Sequence, residues 1–131
     1  MKHSTPTIIF VCEHGAAKSI IAAAYFNQLA QERGLEFVAL ARGTNPDPEL
    51  LPKTVLGLQQ DRLASTETTP QMLSLQEVVS AQRVISFCDL PAEYQQKTIV
   101  ERWEDVPPVS EDYEKARDAI IAYLKSLVKS L

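Results

Sequence analysis

A cysteine, a glycine, a lysine and a serine stand close together near the start of the chain, in the run Cys12-Glu13-His14-Gly15-Ala16-Ala17-Lys18-Ser19. Ahead of it, Thr7 to Val11 is a short apolar run rich in β-branched residues, which reads as a buried strand of the parallel type. Behind it, Ser19 to about Arg33 reads as a helix, with Ala22, Ala23 and Ala24 permitting close approach to a sheet and Gly34 just past its end. The run is therefore a turn from strand into helix. First-turn N–H groups lack intrahelical partners, and the helix dipole is positive at that end. Such a turn cradles a tetrahedral oxyanion such as phosphate, arsenate or sulfate, here with Glu13, His14, Gly15, Ala16, Ala17 and Lys18 as the cradle. Gly15 can take the positive φ that a loop curling round an anion needs. The helix end and Lys18 both favour the thiolate of Cys12, a nucleophile for phosphorus or arsenic. Ser19 can donate its hydroxyl to that sulfur. Taken singly, a strand-end cysteine is a small hydrophobe, and a lysine and serine at a helix start are a solvated end and a cap. Their conjunction at this spacing points to chemistry.

The remaining elements must hold this turn in place. Glu36 to Ala41 reads as a second strand, so the first three elements form a strand–helix–strand unit, parallel and right-handed. Asn45 to Pro48 is a turn, Pro52 to Asp61 a helix, Ser65 to Pro70 a loop and Met72 to Ser80 a helix. Arg83 to Phe87 is a third strand ended by Cys88, and Thr98 to Arg102 a short fourth. Trp103 to Val109 is a proline-containing loop in which Trp103 serves as an anchor, and Ser110 is a good N-cap. Ala116, Ala119, Ile120, Tyr123, Leu124, Leu127, Val128 and Leu131 form one apolar stripe at helical spacing. The alternation predicts an α/β three-layer sandwich around a four-stranded parallel sheet, one domain over residues 1–131. Cys12 and Cys88 both follow strands, so both fall on the carboxyl edge, where ligands bind.

Composition narrows the function classes. The 131 residues are 45% hydrophobic and 23% charged, ordinary values for a globular domain. A net charge of −4 disfavours a general nucleic-acid binder and an anionic membrane surface. The longest unbroken apolar run is the seven residues Ile20 to Phe26, too short to span a bilayer. Met1 to Thr7 carries no secretory signal pattern, and the expected location is cytoplasmic. His3 is expected in a mobile tail. Two cysteines are no disulfide framework, and with two histidines they make no zinc site without help from carboxylates. No metal or cofactor is expected.

The run Cys12 to Ala24, C-E-H-G-A-A-K-S-I-I-A-A-A, resembles the low-molecular-weight protein tyrosine phosphatase superfamily, whose pattern is C-x5-R-S directly after the first strand. It is most similar to the thioredoxin-coupled arsenate reductase branch, which often reads C-V-H-N-A-G-R-S-Q-M-A-A-A. Ala41-Arg42-Gly43-Thr44 resembles the S-A-G-T after that family's second strand, and Val84 to Cys88 resembles the strand ending in its resolving cysteine. Trp103 and the proline-rich loop resemble the segment before its last helix. The resemblance implies a Rossmann-like fold and two activities. In the reductases the first cysteine forms an arsenate adduct. A resolving cysteine, here Cys88, then releases arsenite and leaves a disulfide, which thioredoxin or a small thiol reduces. In the phosphatases the substrate is a phosphomonoester.

The sequence departs from the pattern in three places. Lys18 replaces an arginine that grips the oxyanion with a planar fork. Gly15 replaces an asparagine. Pro107-Pro108 stands where the family has the Asp-Pro pair bearing its general acid, leaving Asp105 or Glu104 to substitute or to be solvated loop acids. A missing acid weakens the phosphatase reading, and Cys88 favours the reductase unless it is a buried core thiol. A third reading is a catalytically degenerate oxyanion-binding regulatory domain. His14 either touches the anion or is a structural hydrogen-bonding group. Asp89 either orients Lys18 or lies in a surface loop.

Overall fold

In the computed structural model, residues 5–131 are described, and His3 lies outside them. The order is β1 (Thr7–Cys12), α1 (Lys18–Arg33), β2 (Val38–Gly43), α2 (Pro52–Gln60), α3 (Leu75–Ser80), β3 (Arg83–Ser86), α4 (Ala92–Gln95), β4 (Val100–Arg102) and α5 (Tyr113–Lys129). The four strands form one parallel sheet in the order β2-β1-β3-β4. Chain direction across the sheet therefore reverses between β1 and β3. At such a switch point the loops leaving adjacent strands diverge and open a crevice at the carboxyl edge.

Both sheet faces are covered, which is why the strands read as continuous apolar runs. On one face, Ile8 and Phe10 of β1 pack with Ile20, Ile21 and Phe26 of α1, Leu58 of α2, and Ile120 and Leu124 of α5. Ala22, Ala23, Ala24 and Ala30 are all in this cluster, so α1 lies close against the sheet. On the other face, Ile9, Val11 and Val84 pack with Leu73, Val78 and Leu90 beneath the shorter α3 and α4. Trp103 is buried: it stacks on Tyr123 of α5 with ring centroids 4.7 Å apart and meets Phe87 edge-on at 5.8 Å. The expected anchoring role of Trp103 fits this placement.

Several boundaries differ from the sequence reading. The segment expected to be helical from Met72 begins its helix only at Leu75, because Ser74 and Glu77 form a capping box. Met72 instead bridges in parallel to Gly43, and Leu73 donates its N–H to the Gly43 carbonyl. The last helix is capped by Asp112, whose carboxylate accepts from Lys115 N, and not by Ser110. β2 starts at Val38 and runs to Gly43, and β4 starts at Val100. Among the described residues no helix is long and apolar enough to cross a membrane.

Candidate active site

β1 ends at Cys12, paired in register with Gly43 of β2. Its other neighbour is β3, where Val11 pairs with Ser86 and Phe87 donates to the Val11 carbonyl at 2.8 Å. Cys88 is thus two residues past the end of the strand next to the one that Cys12 ends. The two thiols lie on either side of the switch point, and both line a single cleft of about 370 Å³.

The loop from Cys12 to α1 is shaped by what its carbonyls do. Those of Cys12, Glu13, His14 and Ala16 accept hydrogen bonds from the backbone N–H groups of Thr44, Asn45, Asp47 and Leu51, at 3.3, 2.7, 3.0 and 3.0 Å. Every one of these acceptors is turned toward the 44–51 segment. The N–H groups of the same peptides lie on the opposite side of each peptide plane. Among the described residues, none of the N–H groups from Glu13 to Ala17 donates to a backbone carbonyl. At the helix start Ala17 provides no side-chain cap, and the first turn of α1 carries no acidic residue. Together these features make a nest of donors with a positive dipole behind it.

Two glycines make the curl possible. Gly15 has φ +62°, the left-handed region. A Cβ on it would sit 3.0 Å from Gly43 N, and one on Gly43 would sit 2.7 Å from Gly15 N. Gly15 and Gly43 are therefore in backbone contact, and this contact seats the loop on the end of β2.

Ser19 is fully buried, with Oγ 3.0 Å from Cys12 Sγ. Lys18 opens α1 and lines the cleft. Glu13, His14, Ala16 and Ala17 line it as well, while Gly15 shapes the loop from behind. Leu51, Phe87 and Val109 give the cleft apolar lining, and Asp47 and Ser110 line it as well. The sequence reading missed Asp47, Leu51 and Ser110. Their signal was only topological, since each sits on a loop leaving the carboxyl edge or at the start of the helix that follows it.

Cys88 is half-buried beneath a turn held by Ser86, whose Oγ donates to the Cys88 carbonyl at 2.6 Å and accepts from Cys88 N at 3.1 Å. Burial pushes the Cys88 thiol up, partly offset by the Ser86 hydrogen bond and reinforced by the neighbouring Cys12. Asp105 is exposed with φ +61° and is not among the residues lining the cleft. Glu104 is also exposed, its carbonyl held by Tyr123 Oη at 2.9 Å. Asp89 pairs with Arg102, outside the cleft lining, so it does not orient Lys18. Among the described residues no group of three or more His, Cys, Asp or Glu is placed to hold a metal ion.

Residues 7–106 match the family model described as low molecular weight phosphotyrosine protein phosphatase. The chain belongs to this family. No curated protein matches it in sequence. Among solved structures it is similar to YfkJ from Bacillus subtilis, with TM-score 0.83 and 18% identity over 99% of this chain and 96% of that one. It is similar to the YwlE arginine phosphatase of Bacillus subtilis, with TM-score 0.82 and 22% identity over 95% of each chain. It is also similar to an arsenate reductase from Archaeoglobus fulgidus, with TM-score 0.75 and 23% identity over 93% of this chain and 98% of that one. These likenesses establish the fold.

Proposed function

We propose that this protein is a thiol-based oxyanion enzyme that reduces arsenate, with Cys12 as nucleophile and Cys88 as resolving thiol. The observation that carries the proposal is the placement of both thiols in one cleft, across the switch point and beside a nest of N–H donors. The Cys12 thiolate attacks arsenic, and one oxygen leaves as water after taking up a proton. The product is a Cys12–S–As(V) adduct. Cys88 then gives up its proton and attacks Cys12 Sγ. The S–S bond forms and the S–As bond breaks with its electron pair staying on arsenic, so As(V) leaves as arsenite, As(III). An external dithiol such as thioredoxin, or a small thiol, reduces the disulfide.

Burial, and to a lesser degree the neighbouring Cys12, holds Cys88 toward the thiol, which suits a resolving group that acts second. Lys18 balances charge on the bound anion as a point charge.

A second reading is hydrolysis of a phosphomonoester. It is favoured by the apolar lining of Leu51, Phe87 and Val109, which suits an organic leaving group. Turnover of arsenate with a dithiol, beside turnover of an aryl phosphate, separates the two, with Cys12→Ser as the control. The reductase reading expects arsenite release, and a Cys12–Cys88 cross-linked peptide when the reductant is limiting. Unchanged arsenate turnover in Cys88→Ser refutes it. Phosphate binding without turnover of either substrate would make the chain an oxyanion-binding regulatory domain.

A further inference from the structure

An oxygen leaving arsenic or phosphorus must take up a proton, and the last loop supplies no carboxylate for this. Val109 and Ser110 are what that loop and the turn after it present to the cleft. The carboxylates that do line the cleft are Glu13 and Asp47, and both face the same imidazole. His14 Nε2 lies 3.4 Å from Glu13 Oε2, and Nδ1 lies 3.3 Å from Asp47 Oδ1 and 3.4 Å from the Asn45 carbonyl. The Nδ1 contact to the Asn45 carbonyl is a hydrogen bond, and the two carboxylates lie within ion-pairing distance on either side of the ring. The contacts are long for charge-assisted hydrogen bonds, so the ring is oriented without being tightly held. A cleft that takes an anion is lined by two carboxylates and Lys18, and His14 stands between those carboxylates.

We propose that His14 is the proton donor to the leaving oxygen, positioned by Glu13 and Asp47, in place of the acid missing from the last loop. The proposal rests on the reading of Cys12 as nucleophile. As the S–As or S–P bond forms and the bond to the leaving oxygen breaks, the imidazolium proton passes to that oxygen. The neutral, exposed ring is then recharged from solvent. The groups facing it are Glu13 beside it in the loop, Asp47 and the Asn45 carbonyl on the segment after β2, and Lys18, Cys12 and Cys88 across the cleft.

The test is His14→Gln, read as a dependence on the leaving group. Arsenate turnover and the burst of phenolate from phenyl phosphate should fall about a hundredfold, the lower end for a lost general acid. For p-nitrophenyl phosphate, whose leaving group needs little protonation, the loss should shrink to a few-fold. Asp47→Asn should show the same pattern more weakly. Phosphate affinity, measured by calorimetry, reports whether the loop survives the substitution. An equal loss on both aryl phosphates, or no loss, with wild-type protein active, overturns the role of His14 alone. Wild-type protein inert toward arsenate and both aryl phosphates overturns the reading of the site and this role with it.

Discussion

Replacing three glycines one at a time by alanine separates the strain of a left-handed residue from the seating of the anion loop. Gly34 closes α1 with φ +66°, and nothing lies within 4 Å of a Cβ built there. Gly34→Ala should therefore cost only the left-handed penalty, about 1 kcal/mol. Gly15 has nearly the same φ, +62°, but its Cβ would meet Gly43 N at 3.0 Å and Gly43 Cα at 3.1 Å. Gly15→Ala should cost the same strain plus the repulsion of a neighbouring strand that cannot easily give, about 2–3 kcal/mol in all. Gly43 needs no positive φ, yet its Cβ would sit 2.7 Å from Gly15 N and 2.9 Å from Gly15 Cα. Gly43→Ala must therefore push the loop away, costing about 1–3 kcal/mol. For a domain of this size, 1 kcal/mol is about 3–5 °C in Tm. The assays are urea denaturation and calorimetric titration with phosphate. Gly34→Ala should bind phosphate as the wild type does, while Gly15→Ala and Gly43→Ala should lose at least about tenfold in affinity. Wild-type phosphate affinity in Gly43→Ala would refute the claim that this backbone contact shapes the anion site.

Lys18→Arg should raise aryl phosphate hydrolysis several-fold, since a guanidinium returns two parallel charge-assisted hydrogen bonds to the anion; steady-state kinetics checks it. In Cys12→Ser, the remaining thiol Cys88 should still gain alkylation rate with iodoacetamide above pH 8.5, roughly where an ordinary thiol levels off, because burial pushes it up. Asp61 ties three helices together: it accepts from Tyr25 Oη of α1 at 2.6 Å, and from Tyr113 Oη and Arg117 Nη1 of α5 at 2.9 and 3.1 Å. Burial pushes its carboxyl up, but these donors more than reverse that and hold it below the usual range. Its contribution is thus complete above about pH 4, the unfolded value, and is lost as pH falls through the lower folded value. Asp61→Asn should cost about 2 kcal/mol at pH 7, and the difference from wild type should shrink in urea titrations toward pH 2–3.

Periodicity and local chemistry carried most of the fold. The β-branched run before Cys12, the alanines of α1 and the stripe of α5 each report a burial face through spacing alone, because a strand repeats every two residues and a helix every 3.6. Parallel strands also put Cys12 and Cys88 on one edge before any coordinate was known, since strand polarity fixes which end of the sheet each loop leaves. The resemblance of Cys12 to Ser19 to a known loop did the rest. Tertiary structure decided the items that depend on neighbours distant in sequence. Gly43 faces Gly15, and Asp47 reaches the ring of His14, 33 positions earlier in the chain, through a loop whose path no periodicity encodes. Ser110 is as good a cap as Asp112 by residue type, but the helix starts at Tyr113 behind Asp112, while Ser110 lines the cleft and its carbonyl accepts from Lys53 Nζ of α2 at 2.6 Å. Asp105 had the chemistry of an acid and the wrong address. The sequence names which groups can do chemistry, but distances between loops follow from how helices pack on the sheet, and that packing is set by side chains far from the site.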